Sequence, residues 1–431
     1  GMPECLWPEV PLREIASEIK DGTHGTHPRT QRGVPFLSAK NISTSGRVEW
    51  SENNGDDYIS ESEYLSIIRG FSPQMDDLLI TVVGSLGRTA LFSGEKVAFQ
   101  RSVAFIRPNK RIFPGYLLQA SNDCRFLRQM ERRSNATAQA GLYLGELAKI
   151  RIPLPPYDNQ RRIAEILSTV DEAIKHTDAL IAKTRQIKAG MMHDLFTRGV
   201  TPDGQLRPPF EEAPQLYKES PLGWIPNEWQ YVLLDKLALR GSGHTPNRNV
   251  SSFWHGGIKW VSLADSHRLD KLYISKTEYE ISKDGIDNSS AVLHPAGIVL
   301  ISRDAGVGKS AITTTAMAVS QHFMCWRCGE KLDNYFLYYW LQHYKRLFEN
   351  IAVGTTIQTI GLPFFKKLKI GGPVEIEEQQ LIGSALKTSD IKLFRLHDEL
   401  GKLKRLKAGL MHDLLSGAVP IKIGDESGAI E

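Results

Sequence analysis

Lys188-Ala189-Gly190-Met191-Met192-His193-Asp194-Leu195 reappears downstream as Lys407-Ala408-Gly409-Leu410-Met411-His412-Asp413-Leu414. Working outward, residues 160–200 align without a gap on residues 379–419, at a constant offset of 219 (379 − 160). An echo of that length, sharing a His-Asp pair, is hard to reach by chance, so the chain reads as a duplicated unit. The segments ahead of each copy echo more weakly, at offsets near 220. Trp7, Val10, Leu12 and Ala16 correspond to Trp229, Val232, Leu234 and Ala238. Gly33-Val34-Pro35-Phe36-Leu37-Ser38 resembles Gly257-Ile258-Lys259-Trp260-Val261-Ser262. Leu79-Ile80, Gly87-Arg88-Thr89-Ala90 and Gln100 line up with Leu300-Ile301, Gly308-Lys309-Ser310-Ala311 and Gln321. The expected order is globular unit, helix, globular unit, helix.

The repeated segments carry a heptad seam. In the first copy Ile163, Leu167, Val170, Ile174, Ile181, Met191 and Leu195 fall on 4-3 spacing, with Thr177, Thr184 and Lys188 completing it. The second copy gives Ile382, Leu386, Leu393, Leu396, Leu400, Leu403, Leu410 and Leu414, with Ser389 and Lys407 in the remaining positions. Apolar residues recurring at a period of 3.5 over about five heptads specify a coiled coil. Pro153, Pro155 and Pro156 precede the first helix, Asp158 is a candidate N-cap, and Gly199 and Pro202 follow. Gly371, Gly372 and Pro373 precede the second, and Gly417 and Pro420 follow. Roughly 36 residues span about 54 Å, and a seam that long needs a partner. The economical partner is the other copy in the same chain, related by a pseudo-two-fold axis and therefore antiparallel. The competing arrangement, each helix packing only on its own globular unit, fits poorly with polar residues at most positions outside the seam.

The globular parts read as strand-rich mixed α/β. Runs such as residues 78–83 and 297–301 are β-branched and strand-like, while residues 115–130 and 335–348 read as helices. Residues 201–226 are Pro-rich, poor in periodicity, and read as a linker. The expected layout is one recognition unit over residues 1–156, a long helix over 157–200, the linker, a second unit over 227–374, a second helix over 375–416, and a tail from 417 to 431.

The 431 residues exceed one ordinary hydrophobic core. A hydrophobic share of 41% and a charged share of 24% are those of a soluble globular protein, and no window is apolar enough for a membrane span. Gly1 ahead of Met2 carries no fold information, and Cys5, Leu6 and Trp7 are soon followed by charges, so the start does not read as a secretory signal. Four cysteines are too few for a disulfide framework, pointing to a reducing cytoplasm. A net charge of +4 permits nucleic-acid binding without requiring it.

Three stretches imitate chemistry that they lack. Gly306-Val307-Gly308-Lys309-Ser310 resembles the end of a phosphate-binding loop, but Arg303 stands where the first glycine belongs. Leu154-Pro155-Pro156-Tyr157 resembles the core of amino-methyltransferases, but Leu154 replaces the Asp, Asn or Ser that would accept a bond from the target amine. No glycine-rich cofactor loop precedes it. Cys325-Trp326-Arg327-Cys328 has no second ligand pair for a zinc site, with only His322 nearby. His193 and His412 suit structural or partner-contact roles within helices. No catalytic residue, metal site or cofactor is expected.

The whole chain resembles the specificity subunits of Type I restriction–modification systems. The resemblance is carried by Ser220-Pro221-Leu222-Gly223-Trp224-Ile225-Pro226, by Asp21-Gly22-Thr23-His24-Gly25-Thr26 with Pro35-Phe36-Leu37-Ser38-Ala39-Lys40-Asn41-Ile42, and by Pro153-Leu154-Pro155-Pro156 leading to Gln160-Arg161-Arg162-Ile163. Gly190-Met191-Met192-His193-Asp194-Leu195 fits the end of that family's central helix, whereas Gly371-Gly372-Pro373-Val374 departs from its proline-rich form. The resemblance implies a non-catalytic protein whose two recognition domains each read one half of a split double-stranded DNA site. It also implies helices that act as a ruler and as a dock for two methyltransferase subunits, alongside restriction subunits. The alternatives are a coiled-coil scaffold that binds no DNA, or a methyltransferase or NTPase; the incomplete motifs argue against the enzymes.

Candidate DNA contacts follow from residue type. His24, Thr26, His27, Arg29 and Arg32, and in the second unit His244, Thr245, Asn247, Arg248 and Asn249, combine flexible turns with forked and amide donors. Lys40, Asn41, Arg88, Arg101, Lys309 and Gln321 are weaker candidates.

Overall fold

Glycine and proline bound both periodic runs, and the helices between them form at full length. In the computed structural model, which describes residues 6–420 apart from 45, 52–54, 56, 71, 135–140 and 353–358, the long helices are Tyr157–Thr197 and Ile376–Ser416. Each has 41 residues, and both ends keep the offset of 219 (376 − 157 and 416 − 197). Asp158 lies inside the first turn of its helix. It therefore complements the helix dipole and does not cap, a correction to the expected N-cap. The expected tail lies outside the described residues beyond position 420.

The chain divides into two units that share out the long helices: residues up to Ala179 together with those from Asp398 onward, and Leu180–His397. In the first unit Lys407 meets Asp171 at 2.6 Å, while Ile163 and Leu167 share a core with Leu414 and Leu415. Numbers rise along one helix as they fall along the other, so the segments run antiparallel. In the second unit Arg185 lies 2.8 Å from His397, and Lys188 pairs with Asp390, which again gives antiparallel helices.

The seam is divided in its use. Thr177, Ile181, Thr184 and Leu400 are buried; the Thr177 hydroxyl donates to the Ala173 carbonyl at 2.9 Å, which makes its burial tolerable. Val170, Ile174, Met191, Leu393, Leu396, Leu403 and Leu410 are half-buried. The outer turns serve the globular cores: Ile163, Leu167 and Leu414 in the first unit, and Leu195, Ile382 and Leu386 in the second. The seam thus keeps isolated buried positions near the middle of each helix and is absorbed into the globular cores at its ends.

Each globular part is a twisted antiparallel sheet with a smaller one beside it. In the first unit the strand order is Ala16–Asp21, Val103–Pro108, Leu78–Thr81, Thr89–Leu91. The second repeats it with Ala238–Ser242, Phe323–Cys328, Val299–Ser302 and Ser310–Thr313, and adds Tyr273–Ile274 in parallel at the edge. The small sheets pair Phe36 with Ala98 and Trp260 with Ala318, both in parallel register. The stretches expected as single helices are broken, into Pro114–Ser121 and Cys124–Arg133, and into Asn334–His343 and Lys345–Ile351. Asp123 caps the second piece of the first pair through the Arg125 amide. The expected linker contains a hairpin, Tyr217–Ser220 against Gly223–Pro226, with Phe210 stacked on Trp224 at 4.4 Å. Four-residue strands are too short to leave a periodic signal.

One glutamine fastens each helix start to the loop that leads into a globular helix. Gln160 accepts from the Phe113 amide at 2.8 Å and donates to the Arg111 and Pro155 carbonyls. Gln379 accepts from the Asp333 amide at 2.9 Å and donates to the Lys331 and Pro373 carbonyls. At the far ends, Gly417 (φ +77°) and Gly199 (φ +64°) pass so close to Trp7 and Trp229 that an added Cβ would lie 2.9 and 2.7 Å from the indoles.

Candidate nucleic-acid interface

The first strand of each sheet ends in a glycine pressed onto a neighbouring backbone. A Cβ on Gly22 would fall 2.3 Å from the Phe99 carbonyl, and one on Gly243 would fall 1.5 Å from the Val319 carbonyl. The candidate loops therefore leave the two sheets at equivalent points. The bonds of Val103 N to Gln100 O and Phe323 N to Ser320 O fix the equivalence of the facing strand. Arg101, not Gln100, is thus the counterpart of Gln321, a one-residue correction to the sequence alignment.

In the first loop His24, Thr26 and Arg32 are exposed. His24 pairs with Asp21 at 2.7 Å. His27 is held by Thr23 at 2.6 Å and Glu63 at 2.5 Å, with its ring edge-on to Phe36. Arg29 pairs with Asp57 at 2.8 Å and lies over Phe36 at 4.4 Å. His27 and Arg29 therefore brace the loop. Asn41 is buried and spent on the Ser38 amide and the Glu49 carbonyl; Lys40 donates to the Gly55 carbonyl at 3.2 Å; Arg88 reaches the Ile42 carbonyl at 3.4 Å. Arg32 and Arg101 carry no side-chain hydrogen bond or ion pair among the described residues. Arg101 lines a cleft of about 580 Å³ with Asp21, His24 and Tyr143, and Tyr143 is 72% exposed.

In the second loop Thr245 donates to Gln321 at 2.6 Å, the His244 carbonyl accepts from Trp260, and Asn247 accepts from the Asn249 amide at 3.0 Å. Arg248 has no side-chain partner among the described residues and lines a cleft with Ser251, Trp254, His255 and Tyr279. Lys309 is occupied, donating to the Ser266 hydroxyl at 3.1 Å. Tyr143 and Tyr279 lie in other segments and come beside the loops only by folding, whereas Trp254 and His255, a few residues beyond Arg248, were passed over. The one available signal was an exposed aromatic near Gly, which is too common to use.

The imitated motifs take structural positions. Gly306-Val307-Gly308-Lys309 is the turn of a hairpin between Val299–Ser302 and Ser310–Thr313, whereas a phosphate-binding loop leads from a strand into a helix. Cys325 and Cys328 stand three apart on one strand and so face opposite sides; burial pushes each thiol up to about 12. His193 lies 6.5 Å from His343 within the second unit, and His412 lines a cleft with Asn122 and Arg125 in the first.

The structure thus holds two copies of an α/β domain, each fastened to a long helix and each carrying on its loops a guanidinium without a partner among the described residues. The sequence profile of the Type I restriction modification DNA specificity domain matches residues 6–184 and 226–407, and the chain belongs to that family. It is a non-catalytic subunit that recognises DNA targets through tandem domains. It is 26% identical, over 96% of its length and 94% of the relative's, to the type I restriction enzyme MjaX specificity subunit of Methanocaldococcus jannaschii. The MjaVIII specificity subunit of the same organism is 27% identical over 63% of each chain. The crystal structure of the S subunit of the Type I restriction–modification system of M. genitalium shares the fold, with a TM-score of 0.63 at 14% identity over 95% of this chain and 96% of that one. No helix among the described residues is long and apolar enough to cross a membrane.

Proposed function

We propose that the domain of residues 1–156 reads one half of a bipartite site and that of residues 227–374 the other, with Arg32 and Arg101 contacting DNA in the first and Arg248 in the second. The observation that carries this is that Arg32 and Arg248, on loops that leave the two sheets at equivalent points, and Arg101, in the turn before Val103–Pro108, have no side-chain partner among the described residues. Arg forks match guanine edges and phosphates. His24, Thr26, His244, Thr245, Asn247, Asn249 and Gln321 complete the reading surface, while His27, Arg29, Asn41, Lys40, Arg88 and Lys309 shape it. The long helices set the distance between half-sites and carry two methyltransferase subunits, to which restriction subunits are added, in the cytoplasm where the DNA lies.

The test uses the chain assembled with its modification subunits. Arg32→Ala, Arg101→Ala and Arg248→Ala should each weaken specific DNA binding by about 1–3 kcal/mol where a base is touched, and should relax preference at that position. Unchanged affinity and site preference in all three would remove these loops from the interface. Exchanging residues 221–373 for those of a relative should change one half of the methylated sequence; a change in both halves, or in neither, contradicts the modular reading.

A further inference from the structure

Two of the aspartates inside the long helices, where the residue is a poor helix former, stand at equivalent positions of the two copies. Asp171 and Asp390 are related by the same offset of 219 (390 − 171). Each divides its carboxylate between two partners. In the first unit Asp171 Oδ1 takes the Lys407 ammonium at 2.6 Å, and Oδ2 accepts from Gln119 Nε2 at 2.9 Å. In the second unit Asp390 Oδ1 takes the Lys188 ammonium, and Oδ2 accepts from the Tyr339 hydroxyl at 2.7 Å. The lysines come from the opposite long helix and are themselves related by 219 (407 − 188). Gln119 and Tyr339 come from the equivalent globular helices Pro114–Ser121 and Asn334–His343. In each unit, then, one carboxylate binds its own helix, the other helix and the recognition domain at a single point.

The two ties differ in stiffness. Burial first, and then the Asp390 carboxylate, push the Tyr339 phenol up, so it remains a donor at every working pH. Lys188 also lies over the Tyr339 ring at 5.2 Å. About one turn earlier on the helix, Lys387 donates to Tyr335 at 2.9 Å, and Tyr335 bonds Tyr273 at 2.7 Å, which fastens the second domain again. In the first unit the amide oxygen of Gln119 is buried with no partner among the described residues, which leaves that tie half satisfied.

We propose that Asp171 and Asp390 are positioning residues: they fix the angle at which each recognition domain leaves the helices, and so decide which length of unspecified DNA between half-sites is accepted. The second junction is the stiffer. This rests on the bipartite reading given above.

The test measures methylation by the assembled methyltransferase on duplexes with identical half-sites and spacers of the preferred length, one base pair shorter and one longer. Tyr339→Phe and Gln119→Leu remove only the domain side of each tie and leave the Lys–Asp pairs intact. Should either of those variants melt early, Asp390→Asn and Asp171→Asn, which also remove the charge paired with Lys188 and Lys407, are read against the same expectation. Lys402→Ala, which breaks an exposed pair with Asp398 away from the junctions, is the control. Relative rates on off-length spacers should rise about fivefold, equivalent to ~1 kcal/mol for one hydrogen bond. The rise should be larger for Tyr339→Phe than for Gln119→Leu, with half-site preference kept and the control unchanged. Folded variants that keep the wild-type spacer profile, or lose rate equally on every spacer, overturn the proposal. A wild-type complex indifferent to spacer length would instead overturn the ruler on which it rests.

Discussion

At the residue scale, two buried polar side chains join the long helices to the globular parts. Gln160 and Gln379 are 1% and 2% exposed, and each satisfies three backbone groups where a long helix begins. Their removal leaves an amide and two carbonyls without partners, so Gln160→Ala should lower stability by about 3 kcal/mol in urea unfolding. A loss below about 1 kcal/mol would show that water takes over these bonds. His343 supplies a pH signal. Burial, and then the neighbouring His193, push its imidazole down to about 4, against about 6.5 in an unfolded chain. Between those values the unfolded state binds more protons. The stabilisation is therefore complete above about pH 6.5 and is lost as pH falls towards 4. His343→Phe keeps a ring on Phe196, which His343 stacks on at 5.2 Å, and should flatten that part of the pH–stability curve. An unaltered slope there would place the acid sensitivity elsewhere.

At the scale of elements, the heptad pattern gives the long helices but not the destination of each apolar position. Leu167 and Leu386 are fully buried in the globular cores, whereas Leu393, on the same seam, is half-buried. Truncation should follow burial. Leu167→Ala and Leu386→Ala should each cost about 2–5 kcal/mol, and Leu393→Ala clearly less. Equal costs at all three positions, read from unfolding midpoints, would mean that the seam behaves as one uniform coiled coil. The hairpin at Ser302–Ser310 makes a similar point about motifs: a glycine-rich run ending in Lys-Ser is a turn here because both flanks are strands.

At the scale of the whole molecule, the helices are candidates for the element that measures DNA. One added heptad lengthens a helix by about 10.5 Å, roughly three base pairs at about 3.4 Å each. Seven residues inserted in register after Ile181, with seven more after Leu400, fall between the Lys188–Asp390 and Lys407–Asp171 pairs and leave both intact. The half-sites should stay the same while the accepted spacer lengthens or activity disappears, as methylome sequencing would report. A folded protein that methylates the original site with its original spacer would show that the helices are not the ruler.

The sequence alone determined the duplication and the presence of the two long helices, whose equal lengths the structure supplied. Those features rest on local periodicity and on a direct echo, both of which survive in one dimension. It also pointed to the loops after Asp21 and Ser242, since glycine beside forked donors is a local pattern. Only the tertiary structure decided which candidates face outward. Folding pairs Arg29, which stays exposed, with Asp57, and His27 with Glu63, and it buries Asn41 with its amide bonded to Ser38 and Glu49. Arg101 appeared a weak candidate, yet it keeps its charge unpaired among the described residues. The junctions at Asp171 and Asp390 were equally illegible, because their partners Gln119, Lys407, Lys188 and Tyr339 lie far away in sequence. A side chain's partner depends on distances in space, and a sequence records those only where neighbours in the chain are also neighbours in the fold.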